Sequence, residues 1–308
     1  MTTGISTLPL PRWDESVVVV EPPGSEPGAW SGAPSSIVAD GHVYLAYRLR
    51  LPIGAGRGIA NVVARSADGL TFTTLAEISK DTFGAESLER PALVRTAAAG
   101  PDAARWRLYV SAATPGTKHW RVDLLESDTV EGLATATPRT VLAGDETRGV
   151  KDPVLHHDEH GWHLWASVHP LESWDDADRM TTEYFTSPDG VLWTWRCTAL
   201  TGRAGEWDAR GVRVSSVVVD GDEVQAAYDG RATAGENWEE RTGTARGARL
   251  ADGSFGPLTA DDRPPLGSPH APNGLRYLSL VRMPDGSGRM YYEATRADGA
   301  HDLRTEPA

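Results

Sequence analysis

Cysteine occurs once in this chain, at Cys197. That excludes an intrachain disulfide and any Cys-x-x-Cys redox or zinc motif, and a lone thiol fits a reducing compartment. Basic residues are also short: 30 Lys and Arg stand against 43 Asp and Glu, for a formal net charge of −13. A nucleic-acid-binding protein needs a basic face, so that class is set aside. No apolar stretch approaches the roughly 20 residues of a membrane span. The opening segment, Met1 to Pro11, has neither a basic region nor an apolar one, so no secretory signal is read and a cytoplasmic protein is expected. No Gly-rich phosphate loop and no nucleophile elbow is present.

What the chain does have is a repeat. Five times, an apolar β-rich run meets an Asp/Gly turn, an aromatic-rich run follows, and a second polar turn comes after it. The heads read Ala33-Pro34-Ser35-Ser36-Ile37-Val38, Glu89-Arg90-Pro91-Ala92-Leu93-Val94 and Lys151-Asp152-Pro153-Val154-Leu155-His156. The last two are Val212-Arg213-Val214-Ser215-Ser216-Val217-Val218 and Leu275-Arg276-Tyr277-Leu278-Ser279-Leu280. The period is about 60 residues, somewhat above the common propeller repeats. A unit of about four strands that cannot bury its own faces must stack on copies of itself. The expectation is an all-β chain, a five-bladed β-propeller forming one domain over 1–308. Its blades fall at roughly 31–80, 88–143, 150–200, 210–258 and 273–308.

Hairpin turns are expected at Asp40-Gly41, Gly100-Pro101-Asp102, His160-Gly161, Asp220-Gly221-Asp222 and Asp285-Gly286, because Gly accepts the positive φ of tight hairpins. Two loops share a Ser-x-Asp-Gly pattern followed by an aromatic: Ser66-Ala67-Asp68-Gly69 with Phe72, and Ser187-Pro188-Asp189-Gly190 with Trp193. The fifth unit runs out one strand short. The run Ser16-Val17-Val18-Val19-Val20 is free to complete it, which would pair the two ends of the chain and cover a sheet edge.

A propeller gathers the starts of its first strands around one axial pocket, so residues at or before each head are the site candidates. These are Trp30, Ser31 and Ala33; Glu89 and Arg90; Lys151 and Asp152; Glu206, Trp207, Asp208, Arg210 and Arg213; and His270, Asn273 and Arg276. Charged side chains in a narrow pocket are costly unless paired or used. One reading is therefore structural ion pairing. The other is a polar site with acids for proton transfer and cations for an anionic or hydroxylated ligand. Among the aromatics, Trp30, Trp174 and Trp207 lie in loops and suit a platform role. His156, His157, His160 and His163 crowd together, but strand alternation separates neighbours and His160 falls in a turn, so no zinc site is expected. His157 is the histidine placed toward the axis.

At these residues the chain resembles the five-bladed propeller glycoside hydrolases, the arabinanase/β-xylosidase type (family 43) and their relatives. Lys151-Asp152-Pro153, its following strand and its Asp/Gly turn carry the resemblance most specifically. Such enzymes use three carboxylates: a first-blade Asp as base, a third-blade Asp that tunes and orients, and a fourth-blade Glu as acid. The resemblance gives Asp152 the second role and Glu206 the third. The first has no counterpart, because Ala33-Pro34-Ser35 stands where Asp-Pro-Ser would be expected. Glu89 or Asp208 is the candidate replacement. Arg90, Lys151, Arg210, Arg213 and Arg276 also resemble, in residue type, the cationic set of propeller phosphorylases.

The expected function is thus a carbohydrate-active, glycoside hydrolase-like enzyme acting on a small, anionic or neutral glycoside. Asp152, Glu206 and Glu89 are its catalytic candidates. Trp30, Arg90, Lys151, Asp208, Arg210, Arg213, His270 and Arg276 are its substrate-binding candidates. The alternatives are a glycoside phosphorylase, a propeller recruited to lyase, isomerase or cyclase chemistry on a small metabolite, and a non-catalytic binding protein. No cofactor is expected, although the resemblance admits a calcium ion at the axis. The partner is a sugar or polar metabolite, with neither nucleic acid nor membrane; the oligomeric state is left open.

Overall fold

The computed structural model describes residues 8–97 and 104–308. The turn expected at Gly100-Pro101-Asp102 and the start of the opening segment, residues 1–7, lie outside them. Among the described residues there is no α-helix, only five short 3-10 turns between strands.

The chain enters through β1 (Val17–Val20), then builds its first unit from β2 (Trp30–Ala39), β3 (His42–Arg50), β4 (Gly58–Ser66) and β5 (Thr73–Ser79). The second unit is β6 (Leu88–Arg95), β7 (Trp106–Ala113), β8 (Trp120–Ser127) and β9 (Arg139–Leu142). The third is β10 (Arg148–Asp158), β11 (Gly161–Pro170), β12 (Thr181–Ser187) and β13 (Thr194–Leu200). The fourth is β14 (Gly211–Asp220), β15 (Glu223–Arg231), β16 (Arg241–Ala248) and β17 (Thr259–Ala260). The fifth is β18 (Leu275–Arg282), β19 (Gly288–Thr295) and β20 (His301–Pro307).

Within each unit the strands pair antiparallel in chain order. β1 completes the fifth unit by pairing with β20, Val17 opposite Thr305 and Val18 opposite Arg304. A single parallel bridge, Trp30 to His301, also links the fifth unit to the first. The tight hairpins follow their turn residues: Asp40 and Gly41 have φ of 48° and 74°, the pair of positive values that a two-residue turn between twisted strands requires.

The first strands touch one another all the way round, β2 with β6, β6 with β10, β10 with β14, β14 with β18 and β18 with β2. They are therefore the innermost strands of a closed β-propeller. The apolar core divides accordingly. Five separate clusters lie one at each junction: Tyr44 with Trp106, Tyr109 with Leu164, Trp165 with Tyr228, Ala227 with Tyr292, and Leu45 with Tyr291. No sheet has a buried face of its own; each is covered only by its neighbours, which is why the repeat must close.

The Ser-x-Asp-Gly loops tie adjacent units. In the first unit, Ser66 Oγ accepts from the Gly69 N–H at 2.8 Å and Asp68 Oδ1 from the Leu70 and Thr71 N–H groups. The loop so shaped offers its Gly69 carbonyl to the Tyr291 hydroxyl of the fifth unit at 2.9 Å. Gly190 of the third unit is held in the same way by Tyr109 of the second, at 2.8 Å. We expect Tyr291→Phe to leave the Gly69 carbonyl short of its partner and to lower stability by about 1–3 kcal/mol. An unchanged denaturation midpoint would refute this role for the hydroxyl.

Candidate functional site

Every first strand carries a β-bulge near its axial end. The register slips between Gly32 and Ser35, Leu88 and Pro91, Lys151 and Val154, Val214 and Ser216, and Arg276 and Ser279. The first residues inside the slips are Ala33, Glu89, Asp152, Ser215 and Tyr277, one in each unit. Three of them share one backbone conformation: φ is 54° at Ala33, 55° at Asp152 and 57° at Tyr277. A bulge bends its strand and re-aims the side chain it carries. Ala33 thus occupies in the first unit the place Asp152 holds in the third.

A ring of charges joins the five units. Arg48 of the first unit pairs with Glu89 of the second. The link from the second unit to the third is not an ion pair: the backbone N–H of Arg90 donates to Asp152 Oδ1 at 3.3 Å. Arg213 of the fourth donates to Asp152 Oδ2 at 3.3 Å and to Asp229 of its own unit at 3.0 Å. Arg276 of the fifth reaches Glu240 of the fourth at 2.6 Å and Glu293 of its own unit at 2.8 Å. Glu293 returns to Arg48 at 2.9 Å, closing the circuit. Tyr277 is its hub. The Arg213 guanidinium lies 3.8 Å from the Tyr277 ring centroid and Arg276 5.2 Å from it. The phenol hydroxyl donates toward Glu89 at 3.3 Å and Asp152 at 3.5 Å.

Above this floor opens a cavity of about 530 Å³. Glu89, Lys151, His169, Arg213, Glu240 and Arg276 line its depth, and Ile53, Trp120, Trp174 and Trp238 line its walls and mouth. It continues past Lys118 and Trp174 into a groove of about 720 Å³ between the second and third units. Trp174 is 65% exposed and is braced by Lys118, whose Nζ lies 4.3 Å from its ring and donates to its carbonyl at 2.8 Å.

Several sequence candidates stand elsewhere. Glu206 is exposed on a turn before β14, its side chain in solvent and outside the cavity lining. Asp208 is buried but turned away, accepting from Tyr228 at 2.7 Å and Arg203 at 3.0 Å. Arg210 is engaged outside the lining, with Asp178. His270 is exposed on the loop before β18, against Trp13. Trp30 is buried in the wall between the first and fifth units, stacked on His301 at 4.6 Å with the Arg50 guanidinium 3.8 Å from its ring. Arg90 lies beneath the cavity and donates to the Pro34 carbonyl at 3.1 Å. His157 is exposed and packs on Trp162; the histidine of the cavity is His169.

The residues that sequence reasoning passed over come chiefly from second strands. Arg48 pairs across the ladder with Gly32, Asp229 with Arg213, and Glu293 with Arg276. Their signal is a charged residue at the end of an otherwise apolar run, as in Tyr291-Tyr292-Glu293.

Burial and pairing set the protonation states. Burial alone would raise the Glu240 pKa, but Arg276, Arg213 and Arg231 outweigh it and hold the carboxyl well below its ordinary range. Asp152 is likewise lowered against burial, by Lys151 and Arg213. Burial pushes Lys151 down to about 8, with Asp152 opposing. A calcium ion wants six to eight free oxygen ligands, whereas the cavity carboxylates here are engaged by guanidinium groups, so these residues do not fit one at the axis.

Two measurements test the site. Arg276→Met should take one guanidinium from both Glu240 and Glu293, each of which keeps another partner, and cost about 2–4 kcal/mol in an equilibrium denaturation; a loss under 1 kcal/mol would contradict the ring. Lys151 should be acylated by a small anhydride with a half-maximal rate near pH 8, read by peptide mass spectrometry, because the amine loses its proton as pH rises through that value. A half-point above pH 10 would show that the amine is not desolvated.

No family model matches the chain, and no curated protein is similar to it in sequence. Solved structures are similar to it in fold. A thermostable family-43 glycoside hydrolase superposes with a TM-score of 0.69 at 12% identity, covering 90% of this chain and 89% of its own. An α-L-arabinofuranosidase from Lactobacillus brevis gives 0.65 at 14% identity, with 90% of each chain covered. A member of the GH130 family of mannoside phosphorylases, described as containing hydrolases of β-1,2 mannosidic linkages, gives 0.58 at 14% identity over 97% of both chains. These likenesses establish the propeller fold.

Proposed function

We propose that the chain is a glycoside-processing enzyme that takes one terminal sugar residue into the axial cavity. The observation that carries this is the disposition of Glu89. It lines the cavity, yet only its Oε2 is engaged, by Arg48 and the Tyr277 hydroxyl. Its Oε1 has no hydrogen-bond partner among the described residues. The other deep carboxylate, Glu240, is clamped by Arg231 and Arg276 on separate oxygens.

Glu89 therefore has an oxygen free for proton transfer, while its other oxygen is held by Arg48. That suits a general base. It takes a proton from the attacking water while the water oxygen bonds to the anomeric carbon and the glycosidic C–O bond breaks, its electron pair staying on the leaving oxygen, which takes a proton from solvent at the cavity mouth. Asp152, wholly buried, orients Arg213 and Tyr277 beneath the sugar. Glu240 stays ionised and stabilises positive charge developing on the ring. Trp174 and Trp238 at the mouth supply faces for the aglycone. The fold of the solved glycoside hydrolases supports the same class.

Phosphorolysis is the second reading, favoured by one feature: Lys151, Arg213 and Arg276 face the same depth of the cavity, and phosphate as nucleophile needs no protein base. Aryl glycosides assayed with and without inorganic phosphate separate the two. Glu89→Gln should lower kcat by about 10²- to 10⁴-fold with substrate binding retained if Glu89 is the base. Release that requires phosphate and survives Glu89→Gln would assign the phosphorylase. Failure of every glycoside in a broad panel would overturn the class.

A further inference from the structure

The charge inside the cavity does not balance. Arg57, Lys118, Lys151, Arg213 and Arg276 line it against Glu86, Glu89, Asp178 and Glu240. The ion partners of these groups do balance: Arg48, Arg210 and Arg231 against Asp152, Asp229 and Glu293. One positive charge is left over, in a chain of net charge −13.

Its place can be read from the pairing. Arg213 and Arg276 each hold two carboxylates within 3.3 Å. Arg57 holds Glu86 at 3.2 Å at the mouth, and Lys118 stands at the half-buried rim. Lys151, in the depth, has only Asp152 Oδ2 at 3.7 Å, and Arg213 shares that oxygen at 3.3 Å. It makes no hydrogen bond among the described residues and rests 4.8 Å from the Trp120 ring.

His169 stands beside it. Lys151 pairs with Ser167 across the β10–β11 ladder, and His169 lies two residues beyond Ser167, on the same face. The His169 ring lines the cavity and is 8% exposed. Its Nδ1 lies 2.6 Å from the Ala177 carbonyl oxygen, which can only accept, so Nδ1 carries the proton. Burial lowers its pKa to about 3, so the ring is neutral and Nε2 offers a lone pair. That Nε2 is buried with no partner among the described residues. A buried acceptor of this kind calls for a donor.

Resting on the reading of the axial cavity as a sugar site, we infer that its ligand is a hydroxylated carboxylic acid carrying one negative charge, a sugar acid in type, with its carboxylate on Lys151 and a hydroxyl donating to His169 Nε2. One ligand then answers both vacancies in the pairing: the surplus cation takes the charge, and the orphan acceptor takes a hydroxyl hydrogen. An inorganic anion without a hydroxyl, such as sulfate, would meet the first only, and a neutral sugar the second only.

Calorimetric titration at pH 7 with D-glucuronate, D-glucose and inorganic phosphate tests this, on wild type, Lys151→Met, Lys151→Arg and His169→Phe, each checked for its thermal transition. Glucuronate should bind at least tenfold more tightly than either glucose or phosphate. Lys151→Met should cut the glucuronate-to-glucose ratio at least tenfold and Lys151→Arg should restore part of it. His169→Phe should weaken glucuronate at least threefold. Glucose equal to glucuronate, or a ratio unmoved by Lys151→Met, overturns the inference and leaves the sugar site standing. Phosphate tighter than glucuronate overturns the carboxylate assignment. Binding of none of the three overturns the inference and the sugar-site reading together.

Discussion

The circuit of ion pairs from Asp152 through Arg213, Glu240, Arg276, Glu293 and Arg48 to Glu89, closed back to Asp152 by the backbone N–H of Arg90, is the constraint on which the rest depends. The five apolar clusters hold neighbouring units together in pairs, but none reaches across the axis. The charges do. Bringing so many ions out of water is expensive, and such a set is tolerated only when each carboxylate meets a guanidinium in good geometry. A propeller can supply that geometry because its first strands all deliver an equivalent bulge to the same place. A register slip in each first strand, with one shared conformation at Ala33, Asp152 and Tyr277, thus sets different side chains around one axis.

The same constraint decides which groups are free to do chemistry. A carboxylate caught between arginines, such as Glu240 or Glu293, is fixed in one protonation state and one position. It contributes field, not protons. Among the described residues that line the cavity, three groups are engaged incompletely: one oxygen of Glu89, the amine of Lys151, and Nε2 of His169, which lies outside the ring. All three belong to residues lining the cavity. A stabilising lattice and a functional site therefore coincide without competing, because the function is assigned to the valences that the lattice leaves over.

Much of the fold was legible in the sequence. The repeat announced the units, the Asp/Gly pairs announced the hairpins, and Ser16–Val20 was recognisable as the strand the last unit lacked, because these are local signals read within about ten residues. The heads located the axis for the same reason: Glu89, Lys151, Asp152, Arg213 and Arg276 are where the strands begin. The loop before β14 was less readable. Glu206, Asp208 and Arg210 fall within five residues, and nothing in their spacing says that the first faces solvent while the second turns inward to Tyr228. His157 was misplaced because a histidine cluster draws the eye, while His169 stands alone at the far end of β11. Arg48, Asp229 and Glu293 were hidden for a deeper reason: they become axial only through the cross-strand register.

Ala33 shows how the two kinds of information combine. Sequence alone marks it as a missing carboxylate only by resemblance. Its backbone, at φ 54° beside the 55° of Asp152, makes the equivalence a matter of geometry. The space next to it is not idle. A methyl group added at Gly32 would meet Glu293 Oε2 at 2.1 Å, so the glycine exists to admit that carboxylate. The first unit contributes no acid of its own at its bulge and instead receives one from the fifth, already committed to Arg48, Arg276 and His301. On the proposed reading, proton transfer falls instead to the second unit, where Glu89 opens the register slip with an oxygen to spare.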